Sequence, residues 1–230
     1  MTAALRVGYS ADQIRAAEAP LLASGVPLMQ RAAEGLADEI TRELRGVPDP
    51  QGGIFVLVGA GNNGGDALFA AASLAERGAR VTVAPTASRV HEDGLAAARR
   101  AGAVVLELGP EPAYVDEVVR RARDSSIIVD GILGTGSAGS AAPRGSAAAI
   151  FERLTETDSP RYRVVAVDLP SGVDPDDGSI PGAVLPADLT VTFGGVKAGL
   201  LIAPGSVAAG EIRLIDIGLD FSGVDPSITI

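Results

Sequence analysis

Short apolar runs rich in β-branched residues alternate with longer segments of helical periodicity along most of this 230-residue chain. The run GIFVLVG (53–59) lies between glycines and has no polar position, as expected of a strand buried on both faces of a sheet. Repeated strand–helix–strand units build a parallel sheet with helices on both of its faces. The sequence therefore predicts an α/β fold with a mostly parallel central sheet.

The predicted elements follow each other without a long linker or a low-complexity tract, so we expect one domain over 1–230. Two helices come first, within about 10–45, and we expect them to pack on the core; Ser10 is a candidate N-cap, and Gly25 and Gly46 are candidate ends. After the first strand we predict helices over 65–77, 92–101, 112–123 and 145–157, and strands over 79–85, 103–108, 126–132, 162–170, 188–194 and 210–218.

Composition excludes several classes of function. The net charge of −10 argues against a nucleic-acid partner, because non-specific binding to phosphates needs a basic surface. The chain has no cysteine and His91 as its one histidine, which disfavours zinc sites and cysteine nucleophiles. No apolar run resembles a signal peptide or a membrane span. We therefore expect a cytoplasmic protein with no membrane partner, and His91 in a solvent-facing or capping position.

The loop after the first strand, GAGNNGGD, places Gly59, Gly61 and Gly64 in the G-x-G-x-x-G spacing of dinucleotide sites. A nicotinamide-dependent oxidoreductase also needs an acidic residue at the end of the second strand to hold the ribose. The corresponding segment, 84–88, contains no carboxylate. An oxidoreductase is therefore disfavoured, and a tight turn without a ligand remains an alternative for this loop.

Three predicted strands have an Asp or Asn residue at or just beyond their carboxyl end, in the segments GAGNNGGD, VDGILGTG and VDLPSGVDPDDG. If these strands are neighbours, one crevice receives the side chains of Asn62, Asn63, Asp66, Asp130, Asp168 and Ser171. Alternatives exist for single residues: Asp66 could cap a helix, Asp130 could start a turn, and Asp168 could form an Asx-turn before Pro170. Together the oxygens of Asn63, Asp130 and Ser171 suit an alkali or alkaline-earth ion.

Two further features could contact an anion. The small-residue loop that begins at Gly134 offers backbone N–H groups that can wrap a phosphate, or it is a flexible turn. Lys197, the one lysine of the chain, and Arg144 are either anion contacts or solvated loop residues.

The segments GAGNNGGDAL, VDGILGTG, VVAVDLPSGVDPDDG and ADLTVTFGGVKAGLLIAPGSVAAGEIRLIDIGL resemble, in order and spacing, NAD(P)H-hydrate epimerases, the YjeF N-terminal domain family. The opening helices, ADQIRAAEAPLLASGVPLMQRAAEGLADEI, resemble that family too. The resemblance implies a Rossmann-like three-layer α/β/α sandwich that is usually a homodimer. It implies an isomerase that interconverts the R and S epimers of hydrated NADH and NADPH, beside an ADP- or ATP-dependent dehydratase, fused or separate.

The resemblance also implies roles for individual residues. Asp168 matches the substrate-binding aspartate that we expect to be catalytic, and one K⁺ per subunit is expected on Asn63, Asp130 and Ser171. The other expected substrate-binding residues are Asn62, Asn63, Gly64, Gly65, Asp66, Gly134, Thr135, Gly136, Ser137, Ala138, Gly139 and Ser140.

The chain departs from the family's pattern at three places: Ala67 replaces a glycine, Gln30 replaces a glutamate, and SAGSAAPRG replaces a bulkier stretch. The competing interpretation of the whole chain is a non-catalytic ligand-binding or protein-interaction domain of the same fold. Epimerisation needs no hydride acceptor, only a group that gives and takes a proton at the reacting oxygen, and we expect Asp168 to do this.

Overall fold

The computed structural model describes residues 7–47, 49–137, 142–156 and 161–230. Seven parallel strands form the central sheet in the order β4-β3-β2-β5-β6-β7-β8. The order reverses between β2 and β5, which creates a topological switch point at the carboxyl ends of these strands. The strands are β2 (Ile54–Val58), β3 (Val81–Pro85), β4 (Val104–Val105), β5 (Ile127–Gly131), β6 (Arg163–Val167), β7 (Leu189–Phe193) and β8 (Glu211–Ile215).

Helices cover both faces of this sheet, so the predicted α/β sandwich is confirmed. Alternate residues of β2 separate two hydrophobic clusters: Ile54, Val56 and Val58 pack with α2, α3 and α4, and Phe55 and Leu57 pack with α5 and α6. The helices are α1 (Ala11–Ala23), α2 (Leu28–Gly46), α3 (Asn62–Glu76), α4 (Glu92–Arg100), α5 (Ala113–Arg123), α6 (Ser146–Thr155) and α7 (Gly205–Ala208).

Several element bounds differ from the sequence expectations; β6 and β8, for example, end at Val167 and Ile215 rather than at 170 and 218. Helix α3 begins at Asn62 rather than at 65, because Gly61 has extended backbone angles and accepts the first helical bond, from Gly65 N at 3.2 Å. The strand expected over 103–108 is reduced to Val104–Val105 at the edge of the sheet. An edge strand has only one partner to extend its pairing, and here that pairing continues with a single bond from Leu106 N to Val83 O (2.9 Å).

A second, two-stranded sheet contains Val7 and Gly8, and the next residue, Tyr9, forms a bridge with Lys197. Strand β1 (Val7–Gly8) pairs antiparallel with β9 (Ile228–Thr229), and the ring of Tyr9 stacks on Phe221 with centroids 3.9 Å apart. Ser10 then caps α1 in a capping box with Gln13, as predicted. Among the helices of the described ranges, none has the length and apolar character needed to cross a membrane.

Candidate functional site

The three polar strand ends lie side by side. Strands β2, β5 and β6 are direct neighbours, and their register aligns Leu57 with Asp130 and Asp130 with Ala166. Asp168 follows β6 directly, and α3 starts four residues after β2. Because parallel strands end at one edge of the sheet, the expected convergence of these side chains is present in the structure.

Asp130 and Ser171 form a buried hydrogen-bonded pair. Ser171 donates its backbone N–H to Oδ2 of Asp130 (2.8 Å) and its hydroxyl to Oδ1 (2.7 Å), and Ile132 N adds a longer bond to Oδ1 (3.3 Å). Asp130 is fully buried, and burial raises its pKa to about 6, against the opposing effect of the Ser171 hydrogen bonds. Within the described ranges no cationic side chain pairs with this carboxylate, so its charge has only dipoles around it.

Asn63 joins the ends of β5 and β6. Its amide donates to Leu133 O (2.9 Å) and to Val167 O (2.6 Å), and the side chain is buried. Gly134 makes room for it, because a Cβ at position 134 would lie 2.2 Å from Asn63 Oδ1. Asn63, Asp130 and Ser171, the three residues expected to hold an ion, therefore lie close together. The ligand atoms that they offer to an ion are amide, carboxylate and hydroxyl oxygens.

The ion expected here is of the kind that binds hard oxygen ligands. Among the described residues no group of three or more His, Cys, Asp or Glu side chains is placed to hold a metal ion. An alkali ion uses amide, hydroxyl and carbonyl oxygens in addition to a carboxylate. Asp130, Ser171 and Asn63, with the adjoining carbonyls of Leu133 and Val167, offer such a set.

Lys197 is not a solvated loop residue. Its side chain is fully buried, and its ammonium group donates to Asp168 Oδ1, to Phe193 O (3.0 Å) and to Thr192 Oγ1 (3.2 Å). The alternative of a solvent-exposed lysine is therefore wrong, because a buried ammonium group is stable only when it is paired and hydrogen-bonded. The sequence signal was present: a single lysine follows a strand with no charged residue, β7.

Asp168 uses one of its two carboxylate oxygens for the protein. Oδ1 accepts from Lys197 Nζ, from Thr192 Oγ1 (3.1 Å) and from Phe193 N (3.3 Å). Among the described residues none donates to Oδ2, and the Asx-turn alternative, which would use a nearby backbone N–H, is wrong. The carboxylate is thus fixed in orientation with one oxygen left for a ligand.

The backbone of Asp168 is also unusual. Its φ of 67° makes it the one non-glycine residue with a left-handed conformation among those that the structure describes. Residues other than glycine pay for this conformation, with about 1–3 kcal/mol of strain, and such residues concentrate at functional sites. Bonds from Asp168 N to Val191 O (2.7 Å) and from Leu169 N to Val167 O (2.8 Å) hold the turn in place.

Two more carboxyl groups face this pair. Asp66 lies inside α3, where it is buried, and Gly61 is the N-cap, so the alternative that Asp66 caps the helix is wrong. Burial and then the charge of Asp168 raise the pKa of Asp66 well above its usual range, while Lys197 lowers it. Glu18 reaches the same place from α1, and burial and then the charge of Asp168 raise its pKa against the opposing charge of Lys197.

Glu18 was missed by sequence reasoning. It lies in the run ADQIRAAEAP, whose charged residues have the spacing of an ordinary amphipathic helix, so no local signal distinguishes it from a surface glutamate. Its neighbour one turn earlier, Arg15, reaches the loop after β5, where its guanidinium lies 3.4 Å from Thr135 O.

The remaining predicted residues divide into three groups. Asn62 is exposed at the start of α3, and Gly64 and Gly65 are buried beside it; a Cβ on Gly64 would meet Gly59 O at 2.2 Å, so this glycine also serves close packing. Thr135–Ser137 forms a single 3₁₀ turn next to Gly134. Ala138, Gly139 and Ser140 lie outside the described residues.

Three residues left open by the sequence have simple positions. His91 caps α4, with Nδ1 accepting from Gly94 N (3.1 Å), so its expected capping position is confirmed. Arg144 is exposed near the start of α6, and Gln30 is exposed on α2.

A cavity of about 1020 Å³ lies at the other end of the strands, away from the carboxyl ends of β2, β5 and β6. It is lined by residues that precede β5 and β6, among them Ser125, Ser126 and Tyr162, and contains none of the paired or pKa-shifted acids at the carboxyl ends. We therefore place the candidate active site at the carboxyl ends of β2, β5 and β6, on chemistry rather than on volume.

The chain is similar to proteins of a known family. A family model described as "YjeF-related protein N-terminus" matches residues 25–199. The NAD(P)H-hydrate epimerase of Microbacterium testaceum is 50% identical over 92% of this chain and 78% of its own length. That of Clavibacter michiganensis subsp. michiganensis is 50% identical over 96% of this chain and 94% of its own length.

Two further similarities concern longer and more distant proteins. The bifunctional NAD(P)H-hydrate repair enzyme of Mycobacterium tuberculosis is 42% identical over 96% of this chain, which spans 43% of that enzyme. The crystal structure of the yeast protein ynu0, YNL200c, superposes with a TM-score of 0.70 at 23% identity, over 90% of this chain and 86% of that one. This last similarity supports the fold.

Proposed function

Because the chain belongs to the YjeF-related N-terminal domain family, we propose that it is an NAD(P)H-hydrate epimerase, an isomerase of nicotinamide nucleotide repair. It interconverts the R and S epimers of hydrated NADH and NADPH. The observation that carries this proposal in the structure is the Asp168 carboxylate, which is buried after β6 and fixed by Lys197, and whose Oδ2 accepts no hydrogen bond from the described residues.

Epimerisation requires proton transfer and no hydride acceptor. The hydrated carbon bears a hydroxyl group and adjoins the ring nitrogen, so it resembles a hemiaminal. Loss of hydroxide gives an iminium-type ring, or the ring opens, and water or the hydroxyl group then returns on the other face. A carboxylate within hydrogen-bond reach of that oxygen contributes about 10²–10⁴-fold. We assign this role to Oδ2 of Asp168.

The rest of the predicted site binds the dinucleotide. We propose contacts from the start of α3, at Asn62–Asp66, and from the loop over 134–140. Thr86 directly follows β3, where a coenzyme site would have an acid to hold the ribose. Thr86 instead donates to Val58 O from its backbone N (2.8 Å) and from Oγ1 (3.0 Å). This supports binding of the dinucleotide as a substrate rather than as a coenzyme.

We further propose one K⁺ per subunit, held by Asn63, Asp130 and Ser171. The fit rests on the buried carboxylate of Asp130, which has no cationic partner among the described residues, and on the surrounding oxygen atoms. When bound, the ion supplies positive charge that offsets the repulsion between the site's carboxylates and the substrate's phosphates, about 1–4 kcal/mol for each pair 4 Å apart at effective dielectrics between 80 and 20.

The assembly and setting of the enzyme are part of the same proposal. We infer that residues 1–230 form one domain and that the protein is a homodimer in the cytoplasm, with neither nucleic acid nor membrane as partner. Homologous repair enzymes are bifunctional, and we propose an ADP- or ATP-dependent NAD(P)H-hydrate dehydratase as the functional partner, fused or separate.

The test is epimer exchange on hydrated NADH. A sample enriched in one epimer is incubated with the protein, and both epimers are followed by chromatography. We expect exchange to equilibrium without formation of reduced nicotinamide, and loss of exchange with retained binding in Asp168→Asn. Binding without exchange in the wild type would favour the non-catalytic domain, and hydride transfer to a carbonyl would favour an oxidoreductase.

A further inference from the structure

Helix α1 is held against the site by contacts at its first residues. Tyr9 pairs with the segment on both sides of Lys197, through Tyr9 N to Val196 O and Ala198 N to Tyr9 O, each 2.8 Å. The first residue of the helix, Ala11, donates its N–H to Asp176 Oδ1 (2.6 Å). These bonds fix the direction in which α1 leaves the Lys197 segment.

Two side chains of α1 then point to functional elements. Arg15 approaches the carbonyl of Thr135 in the proposed substrate loop, and Glu18, one turn later, is close enough to Asp168 and Lys197 for their charges to act on it. Glu18 is half-buried, and among the described residues its carboxyl group has neither a hydrogen bond nor a salt bridge. A carboxyl group in this position is available to a ligand.

Charged groups on four elements surround Glu18. Lys197 and Arg15 favour its ionised form, whereas burial and the negative charge of Asp168 favour the neutral acid, with burial the largest effect. Asp66 of α3 also interacts with Glu18. The site therefore holds one carboxylate that is paired with an ammonium group and two carboxyl groups whose pKa values are raised, chiefly by burial.

Epimerisation needs both a group that gives a proton and a group that accepts one in each turnover. The hydroxyl group leaves the ring more easily if it receives a proton, and the water that returns must lose one. Asp168, locked by Lys197, is suited to accept a proton. The carboxyl group of Glu18, half-buried and without a hydrogen-bond or salt-bridge partner among the described residues, is free to give one.

We propose that Glu18 is the proton donor to the departing hydroxyl group and that Asp168 is the base that deprotonates the incoming water. The carbon–oxygen bond breaks as the Glu18 proton moves to that oxygen, which leaves as water, and the lone pair of the ring nitrogen forms the iminium bond. Water then adds to the other face, gives its proton to Asp168, and the electron pair returns to nitrogen. The proton returns from Asp168 to Glu18 through solvent. This inference rests on the proposed epimerase function.

The first test compares Glu18→Gln with Glu76→Gln, the same substitution at an exposed position at the end of α3. We expect Glu18→Gln to lower the rate of epimer exchange by about 10²–10⁴-fold, with the Kd for hydrated NADH unchanged in equilibrium dialysis. The exchange of isotope-labelled oxygen from water into the substrate should fall in parallel. Glu76→Gln should match the wild type in all three measurements.

The second test is chemical rescue. In Glu18→Ala, added formic acid should restore exchange in proportion to the concentration of its protonated form, because a small acid can occupy the emptied space. In the wild type, kcat should fall as pH rises through the Glu18 pKa, and this decline should disappear in Glu18→Gln. A glutamate that only positions α1 would give neither result.

Each outcome bears on one of the two proposals. Wild-type exchange together with Glu18→Gln activity within about twofold of the Glu76→Gln control would overturn the role of Glu18 and leave the epimerase standing. Loss of exchange without rescue, accompanied by weaker substrate binding, would assign Glu18 to positioning and overturn the donor role. Absence of exchange in the wild type would overturn the epimerase itself, and the donor role with it.

Discussion

Replacement of Lys197 by methionine tests the buried ion pair on which the site depends. The side chains of Lys197 and Asp168 are almost fully buried. The ammonium group of Lys197 pairs with the carboxylate of Asp168, and the hydroxyl group of Thr192 bonds to both of them. Removing one partner of a buried pair leaves an uncompensated charge, which costs about 3–5 kcal/mol. With an m-value of about 2 kcal/mol per molar urea, the unfolding midpoint should fall by about 2 M.

A second substitution separates the charge from the loss of packing. In Lys197→Met with Asp168→Asn, neither member of the pair carries a charge, and asparagine tolerates the left-handed backbone that position 168 requires. We expect the double variant to regain about 2 kcal/mol relative to Lys197→Met, a coupling within the range of contacting residues. Arg120→Met, which breaks an exposed pair with Glu117 (2.9 Å), is the control and should cost less than about 1 kcal/mol.

The assay is urea unfolding followed by circular dichroism, at fixed pH and potassium concentration. A Lys197→Met variant within about 1 kcal/mol of the wild type would refute the reasoning, because a buried carboxylate without its cation cannot be that stable. So would a double variant that is less stable than the single one, since stability would then follow the lost contacts rather than the unpaired charge.

Three further outcomes are expected. Potassium at about one hundred times its Kd should stabilise the wild type by about 2.7 kcal/mol in thermal unfolding, with sodium as the comparison, and Asp130→Asn should abolish the difference; equal unfolding curves in both salts would argue against the ion. Gly134→Ala should cost about 1–3 kcal/mol, because its Cβ would meet Asn63, whereas Gly136→Ala, with nothing within 4 Å, should be nearly neutral. The raised pKa of Asp66 means that its contribution to stability is present at low pH and lost as pH rises through the folded-state pKa. From about pH 5 to about pH 8, urea unfolding of Asp66→Asn should therefore lose less stability than the wild type, and an equal loss would contradict that pKa direction.

The sequence predicted the sheet because burial on both faces leaves a direct mark on a strand. Every position of Ile54–Val58 is buried, which explains the apolar run in the sequence. The edge strand at Val104–Val105 was predicted too long, since its residues are partly exposed and apolar character there does not report pairing.

The sequence also predicted which strand ends meet, because residues at the carboxyl ends of parallel strands share one edge. Asn63, Asp130, Asp168 and Ser171 could therefore be grouped without coordinates, and the structure brings them together. Their partners could not be derived in the same way. That Asn63 bonds to Val167 O, or that Asp130 takes both donors of Ser171, depends on loop conformations that no periodicity encodes.

Tertiary structure alone decided which groups hold the acids of the site, and it alone placed Glu18 among those acids. Lys197 pairs with Asp168 across 29 positions of sequence, since β6 and β7 are neighbours and the ammonium group of the lysine also bonds to the last two residues of β7. Glu18 enters the site because the pairing of β1 with β9 and the stacking of Tyr9 on Phe221 anchor the start of α1. The sequence determines each element through its own pattern of burial, whereas the charge environment of a side chain is set by elements distant in the chain, and only their packing reveals it.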